Sequence, residues 1–180
     1  MAELLPAAWT KVLLSWPGAG GEPHDPGVKG FADLVTRAAA ELAGPVDVVA
    51  QSMGGVVAIG LALRYPEKVR RLILVATSGG IDVSALGGAD WRADYEKEYP
   101  DAARWITAER PDHTEAIKHV IAPTLLLWSD DDSISPVSVG ERLAELLPQS
   151  ELRVIPGGGG HGFARERPHA VASRIAAHLR

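Results

Sequence analysis

The sequence predicts a three-layer α/β/α domain built on a mostly parallel sheet. Five short apolar runs show little alternation of apolar and polar residues, which is typical of parallel strands covered on both faces. Helical patterns recur between these runs, and an alternation of strand and helix favours right-handed crossovers within one sheet. The chain has 180 residues, of which 46% are hydrophobic. This is enough for one core, so we expect a single domain over residues 1–180.

The predicted elements follow one another along the chain. The strands are KVLLSW at 11–16, VDVVA at 46–50, RLILVA at 71–76, TLLLW at 124–128 and ELRVI at 151–155. Residues 28–44 carry apolar side chains on one helical face and end at a Gly-Pro pair, which predicts an amphipathic helix. A helix over 135–148 has Ser135 as its predicted N-cap and Pro136 at its first position. The last helix covers residues 167–179.

Two stretches interrupt this alternation. Residues 17–30 contain five Gly and three Pro, so they form a loop at the end of the first strand, where open α/β sheets bind ligands. Residues 78–120 are a long insertion with helical pieces, and lids are a common reason for such length. Trp91 and Trp105 in this insertion either wall a substrate pocket or pack the insertion onto the sheet. We place both, with Gly18, among the candidate substrate-binding residues.

Composition excludes several classes of protein. The formal charge is −5 and no basic run is present, so nucleic acid is not an expected partner. The absence of cysteine excludes disulfides and thiolate metal sites. No cluster has metal-ligand spacing, and the glycine-rich loop lacks the nucleotide-binding patterns, so we expect neither a metal nor another cofactor. The longest apolar run, residues 54–63, is too short to span a bilayer, and no leader pattern precedes it, so a cytoplasmic location is expected.

A single serine marks the junction between the second strand and the helix after it. The sequence there is AQSMGG, residues 50–55, which follows the small-x-Ser-x-Gly pattern of a tight strand-to-helix turn. Such a turn exposes the serine hydroxyl and needs small neighbours, and Ala50 fills the first small position in place of glycine. The helix that begins at Met53 directs its N-terminal amides towards the same place. Ser52 is therefore a candidate nucleophile, with the Met53 N–H as an oxyanion donor.

Acidic and histidine candidates follow two later strands. The run SDDDSISP after the fourth strand supplies Asp130, Asp131 and Asp132, and PGGGGHGF after the fifth supplies His161. All of these positions lie at the carboxyl ends of parallel strands, on the same rim as Ser52. A histidine there can take the serine proton while a carboxylate orients its ring. Each feature alone also has a simpler interpretation, such as a solvated turn for the aspartates or an ordinary loop position for His161.

Three ordered segments resemble the α/β-hydrolase family over nearly the whole chain. AQSMGGVVAIGLALRYPEKVRRLILVATSGG is similar to the family's nucleophile elbow with the helix and strand that follow it. APTLLLWSDDDSISPVSVGERLAELLP is similar to its acid-loop segment, and VIPGGGGHGFARERPHAVASRIAAHL to its histidine loop and last helix. The family's acid loop reads G-D-x-D, so Ser129 replaces the glycine, Asp130 matches the first aspartate and Asp132 the catalytic one.

The resemblance implies a Ser52–Asp132–His161 triad and a serine hydrolase. The expected substrate is a small-molecule ester, thioester or amide, cleaved through an acyl-enzyme. A non-catalytic protein that keeps the fold, as a binding protein or a remnant, is the alternative. Relatives that dehalogenate or open epoxides use a nucleophilic aspartate, and position 52 is serine.

One part of the family pattern has no match here. In the family, a strand ending in His-Gly precedes a strand that leads into a P-G-x-G-like turn, and LLSWPGAGGEP matches the later strand and turn. MAELLPAAW resembles the tail of the helix between them. We therefore expect either a chain that begins late, through truncation or a misplaced start, or a minimal fold whose first strand takes the vacant central place. The second oxyanion donor is then missing, and an amide from residues 18–21 is the candidate replacement. A second copy covering the incomplete sheet is a further expectation.

Overall fold

The computed structural model describes residues 1–179 and contains a fully parallel four-stranded sheet in the order β1-β2-β3-β4. Its strands are β1 (Val46–Gln51), β2 (Val69–Val75), β3 (Thr124–Ser129) and β4 (Ser150–Ile155). The helices are α1 (Phe31–Ala40), α2 (Met53–Arg64), α3 (Arg92–Glu98), α4 (Trp105–Ala108), α5 (Val137–Leu146), α6 (Phe163–Glu166) and α7 (Pro168–His178). Short 3₁₀ turns lie at Ala2–Leu4, Pro66–Lys68, Ser84–Leu86, Ile117–His119 and Gly160–Gly162.

Both faces of the sheet are covered by helices, which confirms the predicted three-layer fold class. Leu72 and Leu74 of β2 face a core that also contains residues of α1, α2 and α5. Ile73 and Val75, one position along, face a second core formed with α6 and α7. All four side chains are completely buried, and each such burial stabilises the fold by about 1.5–3 kcal/mol. Burial on both faces is why these strands show no polar alternation.

The prediction of a strand at residues 11–16 is wrong. The segment is not part of the sheet, and its Val12 and Leu13 side chains are 58% and 78% exposed. A strand needs a neighbour about 4.8 Å away to pair its N–H and C=O groups. Here the segment and β1 both line a cavity of about 660 Å³ instead of pairing with each other. Over the described residues 1–179, β1 pairs only with β2, so the first predicted strand has not taken a central place.

The helix after β3 begins later than predicted. Its first residue is Val137, with Pro136 at the N-cap position, so Ser135 is not the cap. Ser135 is instead buried, with 2% of its surface exposed. Its backbone N–H donates to Asp132 Oδ1 and its hydroxyl donates to the Thr77 carbonyl. These competing partners explain why Ser135 belongs to the loop.

The insertion at 78–120 packs against the glycine-rich loop that precedes α1. The Ala103 N–H donates to the Gly18 carbonyl over 2.7 Å, and the Gly20 N–H donates to the Tyr95 hydroxyl over 2.7 Å. The insertion contains α3, α4 and two of the 3₁₀ turns. Within residues 1–179, no helix combines the length and the apolar character needed to cross a bilayer.

Candidate active site

The candidate site lies at the carboxyl edge of the sheet. Ser52 directly follows β1, Asp132 lies in the loop after β3, and His161 lies in the loop after β4. Because all four strands are parallel, their carboxyl ends share one edge, and loops from different strands meet there. The structure brings together the three side chains that the sequence singled out.

His161 bridges the other two residues through its two ring nitrogens. Nε2 lies 2.7 Å from Ser52 Oγ, and Nδ1 lies 2.8 Å from Asp132 Oδ2. Both distances are those of good hydrogen bonds. With Nδ1 protonated and donating to the carboxylate, Nε2 is left to accept the serine proton. This arrangement can therefore move a proton from the hydroxyl to the ring as Oγ attacks an electrophile.

Ser52 occupies an unusual backbone conformation, with φ 51° and ψ −125°. Residues other than glycine adopt such angles at a cost of about 1–3 kcal/mol. Two hydrogen bonds hold the turn, because the Ser52 N–H donates to the Val75 carbonyl and the Thr77 hydroxyl donates to the Ser52 carbonyl. A Cβ at Gly55 would lie 2.4 Å from Thr77 Oγ1. The close approach of Thr77 therefore explains the glycine at position 55.

Asp132 is the aspartate of the run that reaches the histidine ring. Its side chain is fully buried, and burial of a carboxylate is costly unless its oxygens accept hydrogen bonds. Oδ1 accepts the N–H groups of Ile134 and Ser135, each over 2.9 Å. Oδ2 is left for His161. The first carboxyl oxygen thus fixes the side chain, and the second orients the imidazole.

The two neighbouring aspartates contact the histidine loop instead of the ring. The Asp130 carboxylate accepts the N–H groups of Gly157 and Gly158, each over 3.1 Å. Asp131 Oδ1 accepts the Gly160 N–H over 2.9 Å and the Ser129 hydroxyl over 2.5 Å. These hydrogen bonds, the serine hydroxyl first, hold the pKa of Asp131 below its ordinary value. The sequence offered only a solvated turn as the alternative role for this pair.

Gln51 also contacts the histidine loop, and sequence reasoning missed this contact. Its Nε2 donates to the backbone carbonyl of His161 over 3.0 Å. The two residues are 110 positions apart, so no local pattern connects them. The only available signal was the position of Gln51 immediately before the candidate nucleophile.

The candidate oxyanion donors differ in availability. Met53 is the first residue of α2, and the first N–H groups of a helix have no intrahelical acceptor. In the glycine-rich loop, the Gly18 N–H donates to Pro23, that of Ala19 to Trp16 and that of Gly20 to Tyr95. These three amides would have to exchange partners before they could bind an oxyanion.

Trp91 and Trp105 make the contacts of packing residues. Trp105 lies edge-on to Phe31 of α1 with ring centroids 5.5 Å apart, and Trp91 lies edge-on to Tyr95 at 5.5 Å. Each indole thus packs edge-on against another aromatic ring of the protein. A role for these residues in substrate binding, like that of Gly18, stays a prediction.

Comparisons with known proteins agree with this architecture. The family model of the serine aminopeptidases S33 matches residues 27–109. A pimeloyl-[acyl-carrier protein] methyl ester esterase of Neisseria meningitidis is 32% identical over 199 aligned positions, which cover 84% of this chain and 75% of the relative. A poly(3-hydroxyalkanoate) depolymerase of Ectopseudomonas oleovorans is 27% identical and covers 88% of this chain and 71% of its own.

A solved structure shows the same likeness in three dimensions. The thermophilic esterase of Thermogutta terrifontis superposes with a TM-score of 0.67 at 25% identity, covering 91% of this chain and 76% of the esterase. A parallel sheet covered on both faces and a serine on a strand-to-helix turn define the class of α/β hydrolases. The chain belongs to the α/β-hydrolase superfamily. The relatives named above are two esterases and a depolymerase, in agreement with the enzyme class expected from the sequence.

Proposed function

We propose that this chain is a serine esterase that cleaves small carboxylic esters. Ser52 is the nucleophile, His161 the general base and then the general acid, and Asp132 the residue that orients the imidazole. The observation that carries the proposal is the position of the His161 ring, 2.7 Å from Ser52 Oγ and 2.8 Å from Asp132 Oδ2.

The reaction follows from this geometry in two halves. As Ser52 Oγ attacks the carbonyl carbon, its proton moves to His161 Nε2, and negative charge develops on the carbonyl oxygen. When the ester C–O bond breaks, the ring returns that proton to the departing alkoxide, and an alcohol leaves. Water then gives a proton to Nε2 and attacks the acyl-serine, so that a carboxylic acid leaves and Ser52 regains its proton. Asp132 stabilises the imidazolium in both halves.

The Met53 N–H is the proposed donor to the developing oxyanion. Removal of one such donor lowers the rate by about a hundredfold to a thousandfold in enzymes of this type. A second donor from Gly18, Ala19 or Gly20 requires that amide to release its present partner. We therefore expect a slower enzyme than one with two free amides, unless substrate binding rearranges the loop.

The proposed substrate class is supported by the relatives' names. The Neisseria meningitidis protein is named for the hydrolysis of a methyl ester, whereas the matching family model is named for an aminopeptidase. We therefore place oxygen esters first, with thioesters and amides as the other members of the class. Residues 78–120 are proposed to form a lid-like cover within a single domain, with Trp91, Trp105 and Gly18 near the acyl group.

A second candidate function is a non-catalytic protein that keeps the fold. The observation that favours it is the engagement of the Gly18, Ala19 and Gly20 amides in other hydrogen bonds. Such a protein would present Ser52 and His161 in the same positions but would not stabilise an oxyanion.

Labelling with a fluorophosphonate distinguishes the two functions. The esterase predicts covalent labelling of Ser52, together with hydrolysis of p-nitrophenyl acetate and butyrate. Ser52→Ala should abolish labelling, and His161→Ala should lower kcat by at least about 10⁴-fold, because the base and the nucleophile act as a unit. Thermal unfolding of each variant serves as the folding control. Absence of labelling and of turnover in the folded wild-type chain would favour the non-catalytic protein.

A further inference from the structure

The loop that carries His161 has little rigidity of its own. Four consecutive glycines, residues 157–160, precede the histidine, and their φ angles are 91°, 78°, 117° and 51°. Glycine adopts positive φ readily, but it also has the most conformational freedom to lose when it is ordered. The ring of His161 must nevertheless satisfy two hydrogen bonds at once, one at each nitrogen. Its position therefore depends on contacts made from outside the loop.

The first set of contacts comes from the loop after β3. Asp130 accepts two successive glycine amides at the start of the loop, and Asp131 accepts the amide of Gly160, directly before the histidine. Asp131 is itself held by the Ser129 hydroxyl. Hydrogen bonds from N–H groups to a charged carboxylate are about twice as strong as those to a neutral acceptor. The same acidic run thus holds both the backbone of the loop and, through Asp132, the ring.

The second set of contacts closes the loop at its ends. The Gln51 amide donates to the His161 carbonyl over 3.0 Å. The Arg167 guanidinium donates to the carbonyl of Pro156, at the start of the loop. Gln51 is adjacent to Ser52, so its contact ties the backbone of the histidine directly to the strand that carries the candidate nucleophile.

We propose that Asp130, Asp131 and Gln51 are positioning residues that hold the glycine loop so that His161 reaches Ser52 and Asp132 together. The inference deepens the proposed function and rests on it, because the ring position matters for catalysis only if Ser52 is the nucleophile. Both aspartates are exposed to solvent. Replacing them leaves the two hydrophobic cores untouched, so an effect on the loop can be separated from an effect on folding.

The main test is the double variant Asp130→Ala/Asp131→Ala, assayed by ester hydrolysis. A displacement of about 1 Å in a catalytic group lowers turnover by up to about a hundredfold, so we expect kcat to fall by about tenfold to a hundredfold. KM should stay within about twofold, because none of the replaced groups is placed against the substrate. Gln51→Ala should lower kcat in the same way, since it releases the carbonyl of His161.

A matched control and a conservative variant make the test specific. Asp33 of α1 also accepts a backbone N–H, that of Lys29, over 2.8 Å in an exposed hydrogen bond, and it lies outside the candidate site and the insertion. Asp33→Ala should leave kcat unchanged. Asp131→Asn keeps a carbonyl oxygen where Oδ1 accepts both of its hydrogen bonds, so it should recover most of the activity lost in Asp131→Ala.

A spectroscopic measurement keeps the inference testable apart from activity. The proton between His161 Nδ1 and Asp132 should give a low-field proton resonance, assigned by its loss in His161→Ala. The double variant should broaden or lose this resonance while its thermal unfolding temperature stays near that of the wild type; if the double variant does not fold, Asp130→Ala alone is used. An unchanged resonance with wild-type kcat would overturn the inference. If the wild-type chain neither turns over ester nor reacts with fluorophosphonate, the proposed function fails, and the resonance alone decides whether these residues hold the ring.

Discussion

The β1 side and the β3–β4 side of the sheet, which are its two opposite edges, differ in how many hydrogen bonds hold their part of the candidate site. On the β3–β4 side, hydrogen bonds to three carboxylates connect the loops that carry Asp132 and His161. On the β1 side, the strand has no outer neighbour among the residues that the structure describes, and residues 11–16 lie across a cavity from it with Leu13 largely exposed. The groups that move the proton are thus fixed by many partners. Among the proposed oxyanion donors, the Met53 N–H lies at the start of α2, where helix amides have no intrahelical acceptor. The Gly18, Ala19 and Gly20 amides donate to other groups.

The largest difference between the two sides should appear in stability. Leu126 of β3 is fully buried, whereas Leu13 is 78% exposed. Leu126→Ala should lower the free energy of unfolding by about 2–5 kcal/mol, because it removes buried surface and leaves a cavity. Leu13→Ala should change it by no more than about 0.5 kcal/mol. Urea denaturation of both variants measures the contrast.

Equal losses from the two leucine variants would contradict the comparison. They would mean that residues 11–16 are buried in solution, either by pairing with β1 or by the approach of another chain. Sedimentation of the wild-type protein distinguishes these two causes, because only the second changes the mass.

The same contrast explains which elements the sequence could predict. Strands β2 and β3 are apolar because both of their faces are buried, so their apolar composition was enough to predict them. KVLLSW at 11–16 has the same composition, but a strand also needs a paired neighbour, and composition carries no information on that. The predicted helices at 28–44, 135–148 and 167–179 are present as α1, α5 and α7. The start of α5 lies later than predicted because Ser135 hydrogen-bonds to Asp132 and Thr77.

The candidate site was predictable where local sequence and chain order suffice. Ser52 stands out because a tight turn needs small neighbours, and His161 because of its place after the last strand. The choice of Asp132 over Asp130 and Asp131 came from the family's motif, since three adjacent carboxylates are alike in local sequence. Gln51 was missed because its partner lies far away along the chain. Long-range hydrogen bonds of this kind leave no periodic pattern.

A smaller effect on stability is expected at Ser52, which follows β1, contacts His161 and has a positive φ. Ser52→Gly removes the side chain that makes this conformation costly, so it should raise the free energy of unfolding by about 1 kcal/mol. It should also abolish fluorophosphonate labelling. Ser52→Ala, which keeps the Cβ and therefore the strain, is the matched control and should show no such stabilisation. A glycine variant no more stable than the alanine variant would show that the turn relaxes in solution.

The smallest expected effect is the change of stability with pH that comes from Asp131, on the β3–β4 side. The pKa of Asp131 is held below its ordinary value by the Ser129 hydroxyl and the Gly160 N–H. Its carboxylate therefore stabilises the folded chain above the pKa of the unfolded state, and this contribution is lost as the pH falls through the lowered folded value. The difference in unfolding free energy between the wild type and Asp131→Asn should be constant above about pH 5 and decline below about pH 4. Urea midpoints measured between pH 7 and pH 3 follow this difference.

Asp82 is the control that separates the effect of Asp131 on stability from its effect on the His161 ring. Its pKa is also lowered, first by the hydroxyl of Ser84 and then by the backbone N–H of the same residue. Asp82→Asn should therefore show the same decline in its stability difference at low pH. Of these two carboxylates, only that of Asp131 contacts the histidine loop. Asp131→Ala should therefore slow the labelling of Ser52 at neutral pH, whereas Asp33→Ala, a control outside the insertion, should not. If both alanine variants slowed labelling equally, the effect would be a general loss of stability and not the position of the His161 ring.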